Sequence, residues 1–310
     1  MIYTSALEMI GKTPLLKLNN IICSEMADVY LKLEIQNPAG SIKDRAALGM
    51  IEAAEAEGIL KPGDTIVEPT TGNTGIALSM IGRLKGYKVI IVMPETMSVE
   101  RRNLIRAYGG ALILTDGAKG VKGSIDKAME MKAKEDRIFI PQQFINKANP
   151  DKHYFTTAEE IAADVKDMDL FVAGVGTGGT ISGIGKRLKE LNSKVKVVAV
   201  EPAKSPVLSG GQPGLHNIQG IGIGFVPDNF NRDVVDEILT VTEEEAFEAA
   251  RLVAIKEGIL IGISAGANVA ISLKIAKKLG KGKKIVTVAP DSGEKYLSMG
   301  LYDLEEDKND

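Results

Sequence analysis

The chain has 310 residues, more than the roughly 100–200 of a common single domain, so two domains or one large α/β unit are expected. Hydrophobic residues make up 44% and charged residues 25%, proportions that allow a sizeable core without disulfides. The 38 basic and 41 acidic residues give a net charge of −3, which excludes a broad basic field for nucleic acid or an anionic membrane.

Cysteine usage and hydropathy indicate the compartment. Cys23 is the single cysteine, so an intrachain disulfide cannot form, and its apolar neighbours predict a buried side chain. The N-terminus lacks the basic start and apolar segment of a signal peptide, and no apolar run approaches the roughly 18 residues of a membrane helix. We therefore expect a soluble, cytoplasmic protein.

Strands and helices are predicted to alternate. Continuous runs rich in Val and Ile are typical of strands buried on both faces. They cover residues 28–33, 65–68, 88–93, 111–114, 169–175, 195–200 and 284–288. Longer amphipathic stretches predict helices at 44–57, 73–85, 98–108, 179–191, 243–257 and 264–279. This alternation predicts an α/β fold with mainly parallel twisted sheets flanked by helices, whose ligands bind beyond the carboxyl ends of the strands.

Lys43 is the first candidate for chemistry. It follows the Pro/Gly turn Asn37-Pro38-Ala39-Gly40 and begins a predicted helix, where the helix dipole disfavours a cation. A lysine buried at such a place can lose its proton and become an amine nucleophile. A lone lysine is usually a solvated charge, so the residue pattern alone leaves both interpretations open.

A second joint, Thr70–Gly75, places hydroxyl and amide groups at a predicted helix N-terminus. Such a group is a receptor for a carboxylate or a phosphate. Capping by Thr71 or Asn73 would account for one of these polar residues, not for all of them. Gln143, in Gln142-Gln143-Phe144, is by itself more typical of a surface amide.

The third joint is rich in glycine and runs from Gly174 to Thr180. Close backbone approach and free N–H groups at the following helix start favour a phosphate. Gly174, Gly176 and Gly179 also match the G-x-G-x-x-G dinucleotide pattern, and Glu201 resembles its acidic ribose ligand. A nicotinamide site and a tight turn without ligand both stay open on this motif alone.

Ser264, in Gly262-Ile263-Ser264-Ala265-Gly266, opens the last predicted helix. By itself it is more typical of a helix cap than of a binding residue. His153 and His216, the two histidines, form neither a ligand pair nor an H-E-x-x-H motif, and the chain has no G-x-S-x-G nucleophile elbow. A metal site and a serine triad are therefore poorly supported.

In combination, these segments resemble the cysteine synthase (O-acetylserine sulfhydrylase) family, of the tryptophan-synthase-β fold type of pyridoxal phosphate enzymes. Cystathionine β-synthase cores share many of the same motifs. The resemblance covers nearly the whole chain and includes Gly11-Lys12-Thr13-Pro14-Leu15, Met93-Pro94-Glu95-Thr96-Met97-Ser98, Gln142–Pro150, Gln219-Gly220-Ile221-Gly222 and Asp291-Ser292-Gly293-Glu294-Lys295-Tyr296-Leu297-Ser298.

The resemblance implies a role for each joint. It implies that Lys43 forms a Schiff base with pyridoxal 5′-phosphate, that Asn73 contacts the ring hydroxyl and that Ser264 contacts the ring nitrogen. The implied phosphate cradle consists of Gly176, Thr177, Gly178, Gly179 and Thr180. The implied substrate-binding residues are Thr70, Thr71, Gly72, Thr74, Gln143 and Gly222. No residue is assigned to a metal.

The implied reaction forms L-cysteine from O-acetyl-L-serine and sulfide through an aminoacrylate, with Lys43 as the base for the α-proton. Thr71 stands where the family usually has serine, and Ile223 where many relatives have alanine. These departures keep a second hypothesis, in which L-cysteine is the donor, hydrogen sulfide is released, and serine, lanthionine or cystathionine forms. A NAD-dependent dehydrogenase is a remote alternative, because it leaves Lys43, Asn73 and Ser264 without roles.

The family also implies an organisation. A smaller mobile domain would span residues 38–146, a larger cofactor-binding domain residues 13–37 and 147–310, and an N-terminal arm residues 1–12. Members are usually homodimers, and they can bind the C-terminal tail of serine acetyltransferase in the active site. The expected ligands are a small amino acid and sulfide or a thiol, with no nucleic acid.

Overall fold

The computed structural model describes residues 2–70 and 72–303, and these form two sheets flanked by helices. The strands of the described residues are β1 (Leu15–Lys17), β2 (Asp28–Leu33), β3 (Thr65–Pro69), β4 (Lys88–Pro94), β5 (Ala111–Thr115), β6 (Ile138–Phe139), β7 (Leu170–Gly174), β8 (Lys196–Pro202), β9 (Glu237–Val241) and β10 (Lys284–Ala289). The larger sheet has the order β1-β2-β10-β7-β8-β9, and the smaller has β5-β4-β3-β6. Every pairing is parallel except that of β1 with β2. The predicted class, α/β with mainly parallel sheets, is confirmed.

Helices cover both faces of each sheet. They are α1 (Lys43–Ala56), α2 (Asn73–Leu84), α3 (Val99–Ala107), α4 (Gly120–Lys134), α5 (Ala148–Lys152), α6 (Ala158–Asp164), α7 (Gly179–Leu191), α8 (Glu243–Glu257) and α9 (Ile263–Leu279). A π-helical turn, His153–Thr157, joins α5 to α6, and a 3₁₀ segment, Gly293–Met299, follows β10. No helix of the described ranges is long and apolar enough to cross a membrane.

Local chemistry explains the helix ends. α8 begins with a capping box, in which the Thr242 hydroxyl accepts from the Glu245 N–H while the Glu245 carboxylate accepts from the Thr242 N–H. It ends at Gly258, whose φ of +75° suits a residue without a side chain. α9 carries Lys277 and Lys278 in its last turn, where cations complement the dipole.

The two sheets meet at the carboxyl ends of their strands. Asn73, four residues beyond the end of β3 in the smaller sheet, hydrogen-bonds to Asp291, two residues beyond the end of β10 in the larger sheet. Parallel sheets place their ligand sites at these ends, so the polar joints converge in one region.

One prediction about packing is wrong. Cys23 is exposed, whereas its apolar neighbours predicted burial. Ile21 and Ile22 pack against the core of the larger sheet, but Cys23 starts the turn that precedes β2, and the Met26 N–H donates to its carbonyl at 3.0 Å. The turn directs the backbone away from the core at this residue.

Candidate active site

Lys43 is the first residue of α1 and is half-buried. The Ile42 N–H donates to the Pro290 carbonyl at 2.8 Å, so the turn before this helix is attached to the end of β10. Burial lowers the pKa of the Lys43 ammonium, an effect that the charge of Asp291 opposes. Within the two described ranges, no hydrogen bond or ion pair holds the side-chain nitrogen, Nζ, of Lys43. A lysine in this state can serve as an amine nucleophile and as a base.

Asn73 begins α2, but it does not cap the helix. Its Nδ2 donates to Asp291 Oδ2 at 2.7 Å, and its Oδ1 accepts from the Lys295 ammonium at 3.0 Å. The N-cap residue is Gly72, which makes no side-chain cap bond. Asn73 is therefore oriented by residues from the far end of the chain.

The predicted carboxylate receptor is brought together beside Asn73. The Thr74 hydroxyl donates to Gln143 Oε1 at 2.7 Å, and Gln143 Nε2 lies 3.5 Å from the Thr70 hydroxyl. All three side chains are buried at the N-terminal end of α2, where free N–H groups attract an anion. Thr71 lies outside the described residues.

Glu68 holds the loop that carries Gln143. Its carboxylate accepts from the N–H groups of Gln142 and Gln143, at 3.2 and 3.5 Å. Burial raises the pKa of Glu68 to about 7, against the lowering effect of those two bonds. Gln142 has a φ of +57°, which is uncommon for a residue with a side chain, and the turn aims the neighbouring Gln143 at Thr74.

The glycine-rich joint forms the loop that leads into α7. The N-cap, Gly178, has a φ of +82° and makes no side-chain cap bond. The Gly179 N–H donates to the Thr177 hydroxyl at 3.4 Å, and the N–H groups that follow in the first turn are the ones suited to an anion. A Cβ on Gly178 would lie 2.6 Å from the Phe230 nitrogen, and one on Gly176 would lie 2.2 Å from the Gly220 carbonyl oxygen. Only glycine fits at either position in this loop.

Buried side chains support the two threonines of this loop. Asn149 Nδ2 donates to the Thr177 hydroxyl at 3.0 Å and to the Gln143 carbonyl at 2.9 Å, which links the loop to the carboxylate receptor. The other threonine, Thr180, has its hydroxyl 3.5 Å from His153 Nε2. A Cβ on Gly179 would meet Asn149 Oδ1 at 2.1 Å, so this glycine allows the buried amide its place.

Ser264 lies in the first turn of α9 and is buried. The helix is capped by Gly262 without a side-chain bond, so capping does not occupy the Ser264 hydroxyl. A Cβ on Gly220 would lie 3.5 Å from that hydroxyl, which places Ser264 beside the segment facing Gly176. Gly222, also in that segment, donates its N–H to the Val175 carbonyl and accepts from His216 Nε2 at 2.8 Å.

Glu201 does not serve as a ribose ligand. It is buried, and its carboxylate accepts from the Leu208 and Ser209 N–H groups at 2.8 and 3.2 Å. Because this acid stabilises the loop that follows β8, the dinucleotide interpretation of Gly174–Gly179 loses its second element.

A buried ion network lies directly behind Lys43. Arg45 makes paired bonds to Glu34, at 2.7 and 2.9 Å, and to Glu160, at 2.7 Å each. Lys32 bonds Glu160 at 2.8 Å. Arg45 also bonds the Thr13 hydroxyl, and Glu34 accepts from the same hydroxyl at 2.6 Å. The network joins the start of α1 to β2 and α6.

Several of these supporting residues were not predicted as functional: Glu34, Arg45, Glu68, Asn149, Asp291 and Lys295. Their roles depend on partners distant in the chain, as in the 218-residue separation of Asn73 and Asp291. The sequence signal that could have identified them is the presence of polar residues next to the recognised motifs. Fold and site together define an α/β protein with a lysine amine, a glycine-rich loop at a helix start and a buried hydroxyl and amide cluster in one region.

Comparison with known proteins identifies this class more closely. The sequence profile described as "Pyridoxal-phosphate dependent enzyme" matches residues 6–291. The cysteine synthase of Staphylococcus aureus (strain Mu50 / ATCC 700699) is 54% identical over 301 residues, 96% of this chain and 97% of that protein. The chain belongs to the family of pyridoxal-phosphate dependent enzymes.

Two solved structures extend the comparison. A hydrogen sulfide-producing enzyme from Fusobacterium nucleatum is 49% identical, with a TM-score of 0.91, and the match covers 95% of this chain and 100% of that one. A cysteine synthase (OASS) from Entamoeba histolytica is 42% identical, with a TM-score of 0.95, covering 99% of this chain and 93% of that one. The similarity therefore extends over the full fold.

The residues present fit pyridoxal phosphate. The cofactor's aldehyde requires an amine, which Lys43 offers with a lowered pKa. Its phosphate requires N–H and hydroxyl donors, which the first turn of α7 supplies together with the hydroxyls of Thr177 and Thr180. Its ring requires polar partners at the hydroxyl and the nitrogen, and Asn73 and Ser264 supply an amide and a hydroxyl.

Proposed function

We propose that this enzyme forms L-cysteine by replacing the acetate of O-acetyl-L-serine with sulfide. The observation that carries the proposal is a buried polar cluster of Thr70, Thr74 and Gln143 at the start of α2. It adjoins Asn73, whose partner Asp291 also acts by its charge on the half-buried Lys43. An α-amino acid presents a carboxylate and an amine on one carbon, and these are the two groups that this arrangement accepts. The cysteine synthases among the relatives support the same donor.

We assign the residues as follows. Lys43, Asn73, Ser264 and the Gly176–Thr180 loop hold the cofactor. Thr70, Thr71, Gly72, Thr74, Gln143 and Gly222 line the substrate position. When bound, pyridoxal phosphate supplies an electron sink for the negative charge that develops at the α-carbon.

The reaction then depends on two properties of the chain. Lys43, with its lowered pKa, accepts the α-proton of the substrate at its nitrogen. The Ser264 hydroxyl is neutral, so it does not hold a proton on the ring nitrogen as a carboxylate would. With pyridoxal phosphate bound, this hydroxyl would limit the charge delocalisation that the ring supplies, which would favour departure of the β-substituent.

The two sheets support a division into a smaller mobile domain over residues 38–146 and a larger one over 13–37 and 147–310. The smaller sheet is built from residues between Thr65 and Phe139, inside the first segment. Substrate carboxylate bound at the N-terminal end of α2 would draw the smaller domain over the site and exclude water. A cytoplasmic homodimer, able to bind the serine acetyltransferase tail, is part of the same proposal.

A second candidate is the use of L-cysteine as donor, with release of hydrogen sulfide. The Fusobacterium nucleatum relative is described as a hydrogen sulfide-producing enzyme at 49% identity. Ile223 is half-buried and follows Gly222 in the segment that borders the proposed substrate position, where a bulky side chain can alter which donor fits. Pocket shape discriminates donors that differ by a few atoms only modestly, about 10- to 200-fold per methylene.

The experiment compares the two donors on one enzyme preparation. O-acetylserine with sulfide is assayed for cysteine, and cysteine alone is assayed for sulfide. We expect kcat/KM to be at least tenfold higher for O-acetylserine. A higher value for cysteine, with stoichiometric sulfide release, would replace cysteine synthesis by the second candidate. The variant Ile223→Ala tests whether this side chain sets the ratio.

A further inference from the structure

The side-chain amide of Asn73 lies between a group that can only donate hydrogen bonds and a group that can only accept them. The Lys295 ammonium lies 3.0 Å from Oδ1, and Asp291 Oδ2 lies 2.7 Å from Nδ2. An ammonium only donates and a carboxylate only accepts, so hydrogen-bond chemistry determines which amide atom faces which partner. One N–H of Asn73 remains for a further acceptor.

Both partners are themselves fixed. Asp291 Oδ2 accepts from the Tyr296 hydroxyl at 2.6 Å, and Tyr296 is 1% exposed. The Lys295 ammonium also donates to the carbonyls of Gly40 and Ala39, at 3.0 and 3.4 Å, so its three N–H groups all have acceptors. Lys295 is 8% exposed and Asp291 is 1% exposed. Water competes little with these bonds, and charge-assisted bonds in such surroundings are strong.

The same ammonium joins two parts of the site. Gly40 belongs to the turn that leads into Lys43, and Asn73 opens α2. Lys295 belongs to the 3₁₀ segment after β10 in the other sheet. It thereby sets the spacing between the lysine turn and the Asn73 amide.

We propose that Lys295 and Asp291 are positioning residues for Asn73, and that they fix its amide so that an N–H, not the carbonyl oxygen, faces the ring-hydroxyl oxygen of pyridoxal phosphate. The inference rests on the proposed contact of Asn73 with that oxygen. Because Asn73 can then only donate, the ring oxygen has to accept, which favours its ionised form.

Cofactor affinity and the visible absorption of the bound cofactor test this pair. Lys295→Met removes one orienting partner, and Asp291→Asn removes the negative charge of the other, while both variants keep the side-chain size. We expect each to weaken cofactor binding about tenfold, as for loss of a charge-assisted bond, and to shift the visible band. Lys295→Arg, which keeps the donor, restores both. Lys132→Met is the matched control, because that ammonium bonds only backbone carbonyls at the end of α4.

A double-mutant cycle separates orientation of Asn73 from a structural role. In an Asn73→Ala background, Lys295→Met should weaken cofactor binding less than about twofold, since the residue it orients is absent. An undiminished effect in that background overturns the inference and leaves the proposed function intact. Asn73→Ala with wild-type affinity and spectrum overturns the role of Asn73, and the inference with it. If Lys295→Met does not fold, Asp291→Asn with Asn73→Ala completes the same cycle.

Discussion

Arg45 offers a direct test of the buried network behind Lys43. The change Arg45→Met removes the guanidinium and keeps much of the side-chain volume. Glu160 retains a cation, because Lys32 bonds it at 2.8 Å. Among the described residues, the partners that Glu34 keeps are the neutral Thr13 hydroxyl and Asn37 amide, at 2.6 and 2.8 Å. Glu34 has no exposed side-chain surface, so it becomes an uncompensated buried charge.

Removing one partner of a buried ion pair costs about 3–5 kcal/mol of unfolding free energy. We expect a loss in this range for Arg45→Met, measured by denaturant unfolding of the apoprotein. The double variant Arg45→Met with Glu34→Gln should recover at least half, because it removes the stranded charge.

Arg137→Met is the control for Arg45. The Arg137 side chain is 62% exposed and bonds the mostly buried Asp64 at 2.9 Å. Because water screens the exposed guanidinium, the pair is expected to contribute about 0–1 kcal/mol. Equal losses for the Arg45 and Arg137 variants would refute the argument that the network depends on buried charge.

Two further substitutions probe the supporting residues. The pKa of Glu68 is raised to about 7, so the folded protein keeps a proton that the unfolded chain releases near pH 4.3. The contribution of Glu68 to the unfolding free energy is therefore present at low pH and is lost as pH rises through 7. Glu68→Gln cannot lose this proton. Relative to wild type, the unfolding free energy of Glu68→Gln should therefore rise by about 2–3 kcal/mol between pH 5 and pH 8. If the difference between variant and wild type is the same at both pH values, the assignment is contradicted. Gly178→Ala places a Cβ 2.6 Å from the Phe230 nitrogen, whereas Gly210→Ala, at a similar φ of +85°, meets open space. Both variants share the conformational cost of a positive φ, about 1–2 kcal/mol, so the close contact is what distinguishes them. Cofactor affinity should therefore fall at least tenfold for Gly178→Ala only. Equal affinities in the two variants would show that the close contact is unimportant.

Much of the fold was predictable because it depends on local patterns. Val- and Ile-rich runs indicated β4 and β10, and the glycine joint indicated the exact start of α7 at Gly179. Three strands were missed. β1 and β6 have only three and two residues, and β9 is buried at one residue of five, so none of them has a strong apolar pattern. α4 and the α5–α6 region were missed as well, because few of their residues are buried.

The site was predictable only where residues of one joint act together. Thr70 and Thr74 lie in one joint, and the topology of a parallel sheet places that joint near Lys43. The orientation of Asn73 was not predictable, since it depends on Asp291 and Lys295, more than 200 residues later in the chain. Composition and periodicity contain no information about such pairs. Ser264 had a plain local explanation as a helix cap. The structure does not support it, because the N-cap residue of α9 is Gly262.

The measurement that tests the central claim most directly is identification of the lysine that carries the cofactor. The purified enzyme is loaded with pyridoxal phosphate, its visible spectrum is recorded, and the cofactor is then fixed by borohydride reduction and located by peptide mass spectrometry. Amino-acid side chains do not absorb visible light, so the visible colour reports the bound cofactor. We expect the modification on Lys43 and its absence in Lys43→Ala. A modification on the other buried lysine of the site, Lys295, or a protein that remains colourless, would contradict the account.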